Sequence, residues 1–244
     1  MATQLKRILM VLTSHDKLGN TGKPTGFWFE ELSNPYYAFA DAGHAIDIAS
    51  IQGGKAPVAP GSEGQPGNRP ASVQRFLADG AAMEKLENSQ AIGSIDPSRY
   101  DAVFLPGGHG VMWDFAENAQ LAKIVGPLFD AGKIVAAVCH GPAGLVSARR
   151  RDGLPIVHGK RVNAFTDTEE AAAGLTDVVP FLLESRLREL GGKFERVADW
   201  QPIAVRDGNL ITGQNPQSSL AVADKVLEAL SEEAAAQTMK TQGI

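Results

Sequence analysis

Cysteine is almost absent from this chain: Cys139 is the only one in 244 residues. A lone cysteine excludes an intramolecular disulfide and fits a reducing compartment. An excess of basic charge is lacking too. Lys and Arg number 23 against 28 Asp and Glu, a formal net charge of −5, with a pI near 5.6. Partners such as nucleic acid or an anionic membrane usually require a basic face, so neither is expected. The apolar runs fall far short of the ~18–20 residues of a membrane span. The first residues, MATQLKRILMVLTSH, show no A-x-A-like cleavage site, and RILMVLTS reads as a buried strand rather than a signal peptide. A cytoplasmic location is therefore expected. No internal repeat is visible.

Hydrophobic residues make up 43% of the chain, enough for a core of ordinary size. Residues 7–14 form a continuous apolar run, as in a strand buried on both faces. Most of the aromatic-rich stretch 25–42 is expected as helix, with a break or kink at Pro35 and an end at Gly43. AIDIASI (45–51) is a second strand. Residues 52–70 are dense in Gly and Pro and read as a long loop, whose length suggests function or cover over a site. Helical segments fall between 72 and 91. DAVFLP (101–106) is a third strand, followed by the turn GGHG. A helix over 117–131 precedes the fourth strand, KIVAAV (133–138). Further helices are expected at 168–174 and 180–191, then RVAD (196–199) and a hairpin in IAVRDGNLITG (203–213), turned by Asp-Gly-Asn. A last helix runs from Pro216 to Leu230, and the tail 231–244 is expected to fray. Strands alternating with helices imply an α/β fold with a parallel sheet. The whole of 1–244 reads as one domain, with 52–91 as an insertion.

Cys139 sits in AAVCHGPAG (136–144), between a strand and the helix start Gly141-Pro142, where proline suits the first turn. A buried, inert thiol is the ordinary state of cysteine. Here the position argues otherwise, because ligands of open parallel sheets bind beyond the carboxyl ends of strands. A sharp strand-to-helix turn crowds the positions two before and two after its apex, here Ala137 and Gly141. This is the nucleophile elbow, with cysteine replacing serine. The helix start predicts a partly exposed thiol with a pKa below the ~8.5 of free cysteine, and hence one open to peroxide. The turn at Gly107, Gly108, His109 and Gly110 frees backbone N–H groups to approach a ligand, as in an oxyanion hole. A plain tight turn is the alternative. His15, His44 and His158 read as ordinary histidines. No His/Cys cluster has metal spacing, so no metal is expected.

These residues resemble the ThiJ/PfpI superfamily, a class I glutamine amidotransferase-like group, and within it the stress-inducible glyoxalase III-like proteins and chaperones. The matching stretches are TGFWFEELSNPYYAF (25–39), YDAVFLPGGHGVMWDF (100–115), GKIVAAVCHGPAGL (132–145), VNAFTDTEE (162–170), VPFLLE (179–184) and DGNLITGQNPQSS (207–219). The resemblance implies a flavodoxin-like sandwich, helices on both faces of a parallel sheet, with a small β-hairpin added. It places an acidic residue beside the nucleophile at Glu31 rather than Glu30; the residues themselves leave the two open. It implies a Cys139–His140 pair completed by Glu170, with Glu169 the rival and Asp167 a weaker one. It places the oxyanion and substrate contacts at Gly108, His109 and Gly110. In activity it implies a glutathione-independent glyoxalase III that turns methylglyoxal, a small reactive dicarbonyl, into lactate through a cysteine thiolate. No cofactor is implied, and a homodimer is. The alternatives are a holdase chaperone, to which the aromatic segment 27–39 could contribute, and a protein deglycase or amidohydrolase. One departure stands out: Ala59 precedes Pro60 in PVAPGSEG, where members of this branch often carry aspartate.

Overall fold

A computed structural model describes residues 5–241; the ends of the chain at 1–4 and 242–244 lie outside the described residues. The strands are β1 (Arg7–Leu12), β2 (Ala45–Ser50), β3 (Gln90–Ala91), β4 (Ala102–Leu105), β5 (Ile134–Val138), β6 (Arg161–Val162), β7 (Lys193–Phe194), β8 (Ala204–Asp207) and β9 (Leu210–Gly213). Seven of them form one sheet in the order β3-β2-β1-β4-β5-β9-β8. All its neighbours are parallel except the β8–β9 hairpin. β6 and β7 form a separate parallel pair.

The helices are α1 (Phe29–Asp41), α2 (Ala71–Ala78), α3 (Gly80–Glu87), α4 (Val111–Asp114), α5 (Ala119–Asp130), α6 (Asp167–Ala172), α7 (Leu183–Glu189) and α8 (Ser219–Thr241). They cover both faces, and the period of two along β1 sorts the cores. Ile8, Met10 and Leu12 join a core with α1, α2, α3 and α8, while Leu9 and Val11 join another with α4, α5 and α7. This explains why β1 reads as unbroken apolar sequence. Phe27, Phe29, Phe39, Phe76 and Phe104 are fully buried in the first core, and each such ring contributes roughly 1.5–3 kcal/mol by leaving water. The aromatic segment 27–39 is therefore largely core, not an exposed patch for unfolded chains.

Several expectations change. α1 occupies most of the 25–42 stretch but runs through Pro35 without the expected break. Proline there lacks the N–H that would bond back to Glu31. The 52–70 loop does not cover the site. Its backbone braces the strand-like segment before α1 instead: Phe27 N–H donates to Pro57 O, and Ala59 N–H donates to Phe27 O, at 2.9 and 2.8 Å. The end of the 52–91 region is strand, β3 pairing with β2. The 231–241 part of the tail does not fray: α8 continues past Leu230 to Thr241, as its run of good helix formers, EEAAAQ, permits. Its first turn is 3-10, at Pro216–Ser218. Among the described residues no helix is long and apolar enough to cross a membrane.

The chain winds from β1 outward to β2 and β3, then returns to place β4 on the other side of β1. That reversal is a topological switch point, where sheets of this kind bind ligands at the strands' carboxyl ends. The loops after β1, β4 and β5 meet there.

Candidate active site

Cys139 is the apex of a sharp turn directly after β5. Its φ of 60° lies in the left-handed region, one of only two such non-glycine residues described, a conformation that costs on the order of 1–2 kcal/mol and needs its surroundings to hold it. Those surroundings are visible. Cys139 N–H donates to Gly213 O at 2.9 Å, and Phe165 N–H donates to Cys139 O at 2.8 Å. A Cβ on Gly141 would lie 2.0 Å from Leu105 O, so only glycine fits two residues after the apex. The elbow expected from A-x-C-x-G is present. The expected helix is only the 3-10 segment Gly141–Leu145.

His140 turns its ring back to the thiol although it is the next residue. Its Nδ1 is 3.3 Å from Cys139 Sγ, and its Nε2 is 2.7 Å from Glu170 Oε2. Burial works to raise the Glu170 carboxyl, but the His140 and His109 imidazoles facing it win and hold it at about 2. An ionised carboxylate only accepts, so Nε2 carries the hydrogen and Nδ1 offers its lone pair to the thiol. Burial, helped by His109, keeps His140 below its ordinary value and hence neutral. The side chains thus line up as thiol, base and orienting carboxylate. Glu170→Gln should lower turnover by roughly 10²-fold or more, since the amide no longer fixes that tautomer; steady-state kinetics against an unchanged melting curve would check it.

Glu170 and Glu169 separate cleanly. Glu169 folds back into a capping box with Thr166 and is fully buried. It accepts from Thr166 N–H, Trp200 N–H, Gln214 Nε2 and Asn215 Nδ2 at 2.8–3.1 Å. The Thr-x-x-Glu spacing in TDTE is a sequence signature of that box. Asp167, the weaker rival, accepts from Ser185 at the start of α7.

Glu31, in the first turn of α1, is fully buried. Its Oε2 accepts the Gly107 N–H at 2.6 Å, its Oε1 is buried without a hydrogen-bond partner, and the carboxyl interacts with the Cys139 thiol. Burial pushes the carboxyl up to about 8, so it is protonated at neutrality. Glu30, one position earlier, is only half-buried and lines the mouth of the cavity.

The thiol departs from expectation. It is buried, and burial, reinforced by the Glu31 carboxylate, pushes its pKa well above the ordinary value; the Gly108 and His140 N–H groups pull the other way and lose. A five-residue 3-10 turn offers too little dipole to outweigh desolvation. The midpoint of iodoacetamide labelling should therefore lie above that of a free thiol. It should move down in Glu31→Gln, which removes the neighbouring negative charge.

Gly108, with φ 95°, lies on this cavity, and its N–H and that of His140 both face the sulfur. His109 acts through its ring, whose Nε2 is 2.8 Å from Glu170 Oε1. Gly110 is not brought to the sulfur: its N–H donates to Gly26 O at 3.2 Å, and it serves the turn's packing. His109, His140 and Glu170 also bring three side chains that can ligate a metal within 4.8 Å of one another, a cluster that sequence spacing did not reveal. In the geometry described here the carboxylate is taken up by direct contacts with both imidazoles.

A cavity of about 390 Å³ opens over the sulfur, with Trp28, Asn34, Phe165, Ala173, Trp200 and Gln217 among its walls. None of these was singled out from the sequence, because they come from separate segments that only the fold brings together.

A family model described as the DJ-1/PfpI family matches residues 25–229. The chain belongs to this family. It is 30% identical over 241 residues to the Glyoxalase 3 of Candida albicans, covering 91% of this chain and 98% of that one. It is 28% identical to the Glutathione-independent glyoxalase HSP31 of Saccharomyces cerevisiae, over 92% and 98% of the two chains. Among solved structures, the Rapid Encystment Protein 24 KDa of Francisella tularensis superposes with a TM-score of 0.89 at 39% identity, covering 93% of this chain and 99% of that one. The glyoxalase III of C. albicans superposes at 0.84 and 29% identity, covering 92% and 97%. The flavodoxin-like α/β architecture of the DJ-1/PfpI family is thus the architecture of this chain.

Proposed function

We propose that this protein is a glutathione-independent glyoxalase that converts methylglyoxal and water into lactate at Cys139. The observation that carries the reading is the buried pair of Cys139 and a protonated Glu31, with a neutral His140 on the other side of the sulfur. The full-length similarity to proteins named as glyoxalases supports it.

The geometry suggests the order of steps. The sulfur adds to the aldehyde carbon as His140 Nδ1 takes the thiol proton. Glu31 gives its proton to the carbonyl oxygen, and the N–H groups of Gly108 and His140 steady the charge that develops there. The product is a hemithioacetal, and Glu31 is left as a carboxylate beside it. That carboxylate takes the remaining hydrogen of the same carbon as a proton, forming an enediolate, and returns it to the adjacent carbon while the hydroxyl proton of the first carbon passes to the neighbouring oxygen. The result is a lactoyl thioester. Water adds to the thioester carbonyl and the C–S bond breaks; lactate leaves, His140 returns the thiol proton to sulfur, and the proton released by the water restores the Glu31 carboxyl. Glu170 and His109 orient the base throughout.

A place in the reducing cytosol belongs to the same reading, supported by a lone thiol that has no disulfide partner within the chain, and so does the homodimer that the family resemblance implies. Purified protein mixed with methylglyoxal and no glutathione should yield one lactate per methylglyoxal consumed, followed by proton NMR. Suppression of client aggregation without any lactate would support the chaperone alternative instead.

A further inference from the structure

The mechanism above uses the floor of the cavity and leaves its wall unexplained. That wall is aromatic and layered. The Phe165 ring lies 4.3 Å from the His140 ring, tilted by 34°, and the Trp200 ring meets Phe165 edge-on at 5.6 Å. Trp200 is 40% exposed, so its ring does little for the core. Yet its backbone is held at φ 64°, a conformation unfavourable for a side chain of this size. The restraint is specific: Trp200 N–H donates at 2.8 Å to the buried Glu169 carboxylate. The same carboxylate ties down Thr166, next to Phe165, together with Gln214 and Asn215. A buried carboxylate thus fixes both aromatic layers to the elbow.

Volume and charge narrow the ligand. A cavity of about 390 Å³ lies in the ~300–1,000 Å³ range that holds drug-sized ligands. Methylglyoxal, with five non-hydrogen atoms, leaves most of it empty. Among the described residues no lysine or arginine lines it, while Glu30 stands at its mouth. An aromatic substituent would find edge and face contacts there; an anionic one would meet no cation.

We propose that Trp200 and Phe165 form a specificity wall that selects 2-oxoaldehydes by the group on the ketone carbon, favouring flat apolar substituents such as phenyl over methyl and rejecting anionic ones. This rests on the glyoxalase reading and names its substrate class. Trp200 contacts the substituent, not the reacting atoms, so its effect falls on binding.

The test compares wild type, Trp200→Gly and Trp200→Phe on methylglyoxal, phenylglyoxal and 4-carboxyphenylglyoxal. Glycine accepts the left-handed backbone at this position, so Trp200→Gly removes the ring while keeping the turn, and its melting curve confirms the fold. In wild type, phenylglyoxal should show the lowest KM of the three. Its carboxylated analogue should be about tenfold poorer in kcat/KM, within the discrimination a pocket of this kind provides. Trp200→Gly should cost phenylglyoxal roughly tenfold or more in kcat/KM, almost all in KM, and methylglyoxal less than about threefold. Trp200→Phe should recover most of the loss. An equal fall for both substrates, or none for phenylglyoxal, overturns the wall while leaving the glyoxalase reading intact. A wild type that turns over none of the three aldehydes overturns both.

Discussion

Cys139→Ala is expected to abolish lactate formation, by ~10³-fold or more, because the covalent route has no other cysteine thiol in the chain. The fold should survive. The apex backbone is held by the hydrogen bonds to Gly213 and from Phe165, neither of which uses the side chain. Losing one buried sulfur from beside a cavity should change stability by only about 1 kcal/mol. Glutathione-free kinetics and a thermal melt on one preparation check both halves. Near-normal turnover would leave Cys139 as an inert buried thiol.

Glu31→Gln should separate activity from stability. Turnover should fall by roughly 10²–10⁴-fold, the range for a lost acid–base group, because an amide cannot carry the proton between adjacent carbons. Glu30→Gln should be mild, since its half-buried side chain reaches only the cavity mouth. Stability should move the other way. The Glu31 carboxyl sits at about 8 in the fold against an ordinary 4.5. Below pH 4.5 both folded and unfolded states hold the proton, and ionisation costs nothing. Between 4.5 and 8 the folded state keeps a proton that the unfolded state releases. Wild-type stability from this group therefore falls with rising pH, by up to about 1.4 kcal/mol per unit. The glutamine variant lacks that slope and can still accept the Gly107 N–H. Its advantage should grow through this window toward an upper bound on the order of 5 kcal/mol. Denaturant melts at pH 4.5, 6 and 8 would show it, and parallel curves for the two proteins would contradict a protonated Glu31.

The elbow was legible because its constraint is local: small residues two positions either side of an apex, with a buried strand before and Gly-Pro after. The choice of Glu31 over Glu30 was not local. Both sit in the first turn of α1, and only the position of Gly107 and the sulfur makes one a buried partner and the other a rim residue. The thiol's electrostatics were misjudged for the same reason. A helix start can be read from Gly-Pro, but desolvation is set by what packs around the sulfur, including the Phe165 segment contributed 26 positions later. The Gly/Pro-rich 52–70 loop suggested a lid, yet its backbone hydrogen bonds make it a brace for Phe27. Gly26 records that contact, since a Cβ there would lie 2.0 Å from Pro57 O. Trp28, Phe165 and Trp200 lie far apart along the chain, with nothing in their spacing to announce a common cavity.

The lone cysteine makes the central claim unusually direct to test. Iodoacetamide can form a stable thioether with only one side chain here, so intact-mass spectrometry reports the fraction of Cys139 blocked. Protein labelled to graded extents should lose glutathione-free lactate formation in one-to-one proportion to that fraction, and methylglyoxal should protect the thiol. Fully labelled protein that still makes lactate at the unmodified rate would contradict catalysis through Cys139.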